Sequence, residues 1–227
     1  MDRRIQLLCA WSGPVSLVVF VVGFWFIAGL VPPPSASDGA LRIAAFYREN
    51  ASQLRAGLLV AMIASPLLVP FIVLLTLQIK RSAPQLAPLA YIQLVCGAVL
   101  MLAILLPVVL MAVAAFRPER APGLTQLLND SAFTLLLWAF SPATLEFVAL
   151  ALVAFLDRGE QPLFPRWIGY FDLTVAIVFV AGAPTLFVKT GPFGWDGALA
   201  FWAVLVAFGL WIGITFTMML RVIEREA

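Results

Sequence analysis

The sequence predicts an all-α polytopic membrane protein, with six transmembrane helices plus a short outer amphipathic helix. Three observations lead there. The chain is 63% hydrophobic and 11% charged, with a mean hydropathy of +1.04. A soluble domain is roughly 45–50% apolar and about 25% charged, so this chain lacks the polar groups to cover a soluble surface. Its apolar residues run in stretches of about 20 or more, the length a helix needs to cross a bilayer. Those stretches are apolar all round, whereas barrel strands would alternate over about 10 residues.

Six spans follow in order: Leu7–Val31, Gly57–Ile79, Pro88–Phe116, Ser131–Phe155, Trp167–Val188 and Gly197–Leu220. Residues 1–227 form a single integral membrane domain. The first span is longer than the apolar region of a signal peptide, about 7–15 residues, so it reads as a retained helix. Lys and Arg placement orients the bundle. With the N-terminus inside, cytoplasmic segments hold Arg3, Arg4, Lys80, Arg81, Arg158, Arg166, Arg221 and Arg225. Outer segments hold Arg42, Arg48, Arg55, Arg117, Arg120 and Lys189. Both termini are therefore expected in the cytoplasm of a cell-membrane protein.

The first outer loop opens with three prolines, which cannot continue a helix. Ser37 or Asp38 is a plausible N-cap beyond them. Ile43, Phe46, Tyr47 and Asn50 then recur at helical spacing, with Arg42, Arg48, Glu49 and Arg55 among them. That pattern predicts a short helix lying on the membrane surface, and secondarily a lid over a cavity.

The spans also hint at repetition. "IQLLC" begins at Ile5 and "IQLVC" at Ile92, while Phe171 opens "FDL". "SPLLVPF" begins at Ser65 and "SPATLEF" at Ser141. The chain then reads as three tandem helical hairpins, a parallel repeat about an axis along the membrane normal. Pro14, Pro66, Pro70, Pro107, Pro142 and Pro184 interrupt five of the spans. Each frees a backbone carbonyl that needs a partner, and kinks leave gaps between helices.

Glu146 stands deep in the fourth span with no Lys or Arg at its depth. An ionised acid facing lipid there would cost a few kcal/mol, so it must face protein, water or a ligand. Its expected neutral partners are Ser65, Ser141 and Thr144. These four residues are the candidates for ligand binding or proton coupling. Gln6, Gln93 and Asp172 lie near the inner ends of their spans, where water-exposed or interfacial hydrogen bonding is expected. Trp167 and Trp195 sit where interfacial anchors belong. Gly209 and Gly213, in GxxxG spacing, predict a close helix approach, within the fold first and between protomers second.

Composition also excludes chemistry. There is no histidine, which removes most haem, diiron, copper and zinc sites and any Ser-His-Asp triad. Cys9 and Cys96 could ligate little alone and are expected as free thiols. No metal, cofactor or catalytic residue is assigned, and no basic cluster tracks nucleic acid.

The layout resembles a family of bacterial six-helix integral membrane proteins of unknown function. The resemblance lies in the Pro-rich outer loop, the amphipathic "IAAFYRENASQLRAGLL" and the "LFPRWIGYFDL" that enters the fifth span. It implies the topology and no substrate. The leading function is binding or transport of a small apolar or weakly polar molecule in a helix-bundle cavity. The alternative is a non-catalytic accessory or assembly subunit of a larger membrane complex. An enzyme ranks last, because acid–base chemistry needs a second positioned group. Expected partners are the bilayer, a lipophilic ligand, and a larger complex or a second copy through Gly209 and Gly213.

Overall fold

The computed structural model describes residues 2–225. They form α1 (Arg3–Ile27), α2 (Ala40–Glu49), α3 (Ala51–Ser82), α4 (Pro84–Phe116), α5 (Pro122–Leu156), α6 (Arg166–Leu186) and α7 (Ala198–Arg225). All but α2 are long and apolar enough to cross a membrane. No strand occurs among the described residues. The helices run past several expected ends. α5 begins at Pro122, because Pro presets the first helical turn and its missing N–H is not needed there. The segment expected as a second outer loop thus belongs mostly to a helix.

The spans pack in chain order around a ring, and α7 closes onto α1. Six passes bring Arg3 and Arg225 to one end, the terminal end; α2 covers the other. Side chains facing away from the ring are apolar and exposed, Leu8, Phe26, Leu59 and Ile177 among them. Such a surface calls for lipid or another apolar surface against it rather than water.

The tightest crossing joins α1 to α3. A Cβ on Gly23 would lie 2.7 Å from the Gly57 carbonyl oxygen, so only glycine lets the two backbones meet. This is the small-residue packing expected of Gly209 and Gly213. Those two have nothing within 4 Å of where a Cβ would sit, so they make no close approach inside the fold. α1 then ends at Gly29, whose φ of 65° a side chain would resist. The Leu30 N–H bonds back to the Phe24 carbonyl at 3.2 Å, closing the helix end.

α2 is amphipathic as expected. Its N-cap is Gly39, without a side-chain cap. Asp38 instead pairs with Arg42 at 3.0 Å. Ile43, Ala44 and Tyr47 are buried against the first turns of α5. The Tyr47 hydroxyl donates to Asn129 Oδ1 at 3.3 Å. Burial first, and the Asp130 carboxyl second, hold the Tyr47 phenol well above its ordinary range. It stays a neutral donor. Trp195 is buried rather than interfacial. Its indole donates to the Pro34 carbonyl at 2.7 Å and stacks on Phe133. The α6–α7 loop is thereby pinned to the α1–α2 loop, whereas Trp167 is half-exposed as an anchor should be.

Candidate functional site

The buried apolar residues fall into two clusters. One fills the terminal half and includes Phe71, Phe147 and Trp211. The other fills the α2 half and includes Phe24, Tyr47 and Phe133. Between them lies a cavity of about 160 Å³, half-open rather than sealed. Every span contributes to its wall: Phe20, Ser65, Ile104, Leu137, Phe179 and Leu205, in order.

The cavity exists because four helices lose regular geometry at its depth. α1 loosens into a π-helical stretch over Val22–Ile27. α3 tightens into a 3₁₀ turn over Ser65–Leu67, where Pro66 cannot donate to the ladder. α5 breaks at Ala139, just ahead of Pro142, and α7 opens with a π-helical stretch over Ala198–Ala203. Single π-helical turns recur at functional sites. Pro14 and Pro107, by contrast, sit inside unbroken α-helix. The lining is almost wholly apolar. Its two serines already donate to carbonyls, Ser16 to Ala64 and Ser65 to Ala61, both at 2.8 Å. An occupant would find van der Waals contact and no free hydrogen-bond donor from them.

Toward the terminal end the cavity is floored by aromatic rings. Trp211 is central, with Phe147 at 5.2 Å, Phe71 at 6.3 Å and Phe208 at 6.1 Å between centroids. Phe179 adds an edge contact to Phe147 at 5.1 Å. Four of the spans meet in this plug.

Closer to the terminal end lies a buried polar layer containing Glu146, which is 1% exposed. Gln93 Nε2 donates to Glu146 Oε1 at 3.3 Å. Thr76 Oγ1 donates to Gln93 Oε1 at 2.7 Å, fixing which way the amide points. Gly97 makes the room, since a Cβ there would stand 3.0 Å from Glu146 Oε1. Glu146 Oε2 has no hydrogen-bond partner among the described residues. Asp172, 2% exposed, lies within electrostatic reach of Glu146 and beside the Trp211 indole. The indole N–H does not reach hydrogen-bond geometry with it or with any other group among the described residues. Gln78 Nε2 donates to Gln6 Oε1 at 2.6 Å, joining α3 to α1.

The sequence candidates therefore divide. Ser65 lines the cavity; Glu146 does not. Ser141 is exposed on the outside of α5, and Thr144 Oγ1 is buried with no partner among the described residues. Neither these two nor Ser65 bonds Glu146, whose partner is Gln93. Gln6, Gln93 and Asp172 are buried rather than water-exposed. Each turns inward because polar groups that far along a span are better bonded to another helix than set against lipid. Among the described residues no group of His, Cys, Asp and Glu gathers to hold a metal. Cys9 and Cys96 are free. Sequence reading missed the cavity wall and the Trp211 plug. Their only linear signal is the density of Phe and Trp near the breaks.

No protein-family model, curated protein or solved structure matches the chain.

Proposed function

We propose that this integral membrane protein binds a small apolar molecule, or the apolar end of a larger lipophile, between its six spans. The observation that supports the reading is the cavity of about 160 Å³ with a nearly all-apolar wall. Apolar cavities of about 150 Å³ stay dry and take up ligands the size of benzene. The aromatic plug closes the floor, so the ligand enters from the α2 end or from the bilayer. Single-sided access favours binding over passage; transport would require the plug to move. The Lys and Arg bias supports a cytoplasmic terminal end in the cell membrane. The reading is non-catalytic: Glu146 and Asp172 approach one another, but neither faces the cavity where a substrate would sit. Glu146 is assigned to holding α4 against α5.

The test is purification in mild detergent, with mass spectrometry of whatever co-purifies. A lipophile retained by the wild type and lost from Leu205→Phe, which narrows the cavity, is the expected result. A stoichiometric polypeptide partner with no ligand would instead favour the accessory subunit. That alternative draws on the outward face of α7, where Gly209 and Gly213 are uncovered.

A further inference from the structure

A second concavity lies at the terminal end, apart from the cavity. It is a groove of about 580 Å³ between the α5–α6 loop, the first turn of α6 and the last turns of α7. Leu163, Met218 and Val222 make an apolar floor, and each is buried. Arg221 and Arg225 stand on its rim one helical turn apart, both exposed. Among the described residues neither side chain has an ion-pair or hydrogen-bond partner. Among the described residues Glu160 is the one acid lining the groove, so its described wall carries two guanidinium groups against one carboxylate. Trp167, half-exposed, completes the wall.

The wall is built rather than draped. Asp157 accepts from the Gly159 N–H at 3.0 Å and from the Leu163 N–H at 2.9 Å, fixing the loop that carries Glu160 and Gln161. Leu163 and Phe164 anchor the same loop in the core.

We propose that this groove binds the phosphate headgroup of an anionic phospholipid. Guanidinium groups match phosphate oxygens in pairs, and unpaired arginines near a bilayer surface attract anionic lipid. The apolar floor suits the glycerol and upper acyl carbons, which free phosphate lacks. Trp167 lies at the end of a span, where an amphipathic ring belongs beside headgroups. The site is independent of the cavity and of what the cavity holds.

The experiment is native mass spectrometry of the full chain in detergent with added phosphatidylglycerol or phosphatidylcholine. The comparison is with the double variant Arg221→Gln, Arg225→Gln. Wild type should retain phosphatidylglycerol over phosphatidylcholine, and the double variant should bind it about tenfold more weakly. Arg117→Gln with Arg120→Gln, at the opposite end, should bind as the wild type does. Equal phosphatidylglycerol binding by wild type and the groove variant overturns the proposal. So does an equal loss in the control variant. Displacement of the lipid by millimolar inorganic phosphate would mean that the anion alone is recognised, which overturns the lipid assignment.

Discussion

The two halves of the core use the same aromatic and aliphatic residues and reach opposite results. In the terminal half the helices run regularly, rings from α3, α5 and α7 close on Trp211, and Phe179 of α6 packs on Phe147. A chain of side-chain hydrogen bonds from Thr76 through Gln93 to Glu146 runs beside them. In the α2 half the helices loosen or break, and a cavity opens at the junction. The cavity opens where those backbone departures face it, although Gly23, inside the π-helical stretch of α1, still makes the tightest helix crossing. In a bilayer that matters doubly, because lipid is as apolar as leucine and only packing distinguishes a filled core from an empty one.

This contrast can be broken from either side. Phe147→Ala removes a ring at the centre of the plug and should cost about 3 kcal/mol, the low end for such truncations, because much of the transfer term is absent in lipid. Thermal unfolding in detergent, followed by tryptophan fluorescence, would measure it. A cost under about 1 kcal/mol would mean the plug is not tightly packed.

Gly97→Leu puts a side chain where Ile72 and the Glu146 carboxyl already lie, 2.9 Å and 3.0 Å from the position of a Cβ. About 2 kcal/mol of destabilisation is expected from the same assay. Glu146→Leu leaves the Gln93 amide without its acceptor and should cost about 1–3 kcal/mol. Glu146→Gln keeps an acceptor and should cost less than Glu146→Leu. Equal losses from the two would show that the hydrogen bond to Gln93 contributes nothing.

Tyr47→Phe deletes the bond to Asn129 and should cost about 1 kcal/mol. It also carries a pH signature. The folded phenol is held above its unfolded value, which is about 10. The folded protein therefore keeps a proton that the unfolded chain loses, and stability falls as pH rises above about 10. The variant should lack that part of the alkaline loss, measured as melting temperature against pH.

Leu205→Phe should give the smallest change in stability, under about 1 kcal/mol, because the added carbons enter a void. Its effect should fall on ligand retention. A melting temperature lowered as far as that of Gly97→Leu would show that the α2 half is as tightly packed as the terminal half.

Much of this was legible in the chain. The length of apolar runs gave six spans and the amphipathic spacing of Ile43 and Tyr47 gave α2, because both depend on local periodicity and bilayer thickness. Glu146 was recognisable as a group needing a partner, since cost depends on depth alone. Its partner was not, because Gln93 lies 53 positions away and meets it only through the α4–α5 packing. The "SP" pairs at Ser65 and Ser141, read as marks of a repeat, lie at or just after two helix breaks, whereas nothing local told Pro66 from Pro14. Gly209 and Gly213 carried the familiar spacing, yet Gly23 and Gly57, on different helices, make the close crossing.

The sequence by itself determined that the chain lives in a bilayer, crosses it six times and buries an acid there, because hydropathy, period and desolvation act residue by residue. Only the tertiary structure decided which helices touch, that Gln93 rather than a serine meets Glu146, and that an apolar cavity lies between the two cores. Voids and hydrogen-bond partners are properties of how surfaces fit, and no single segment carries that fit.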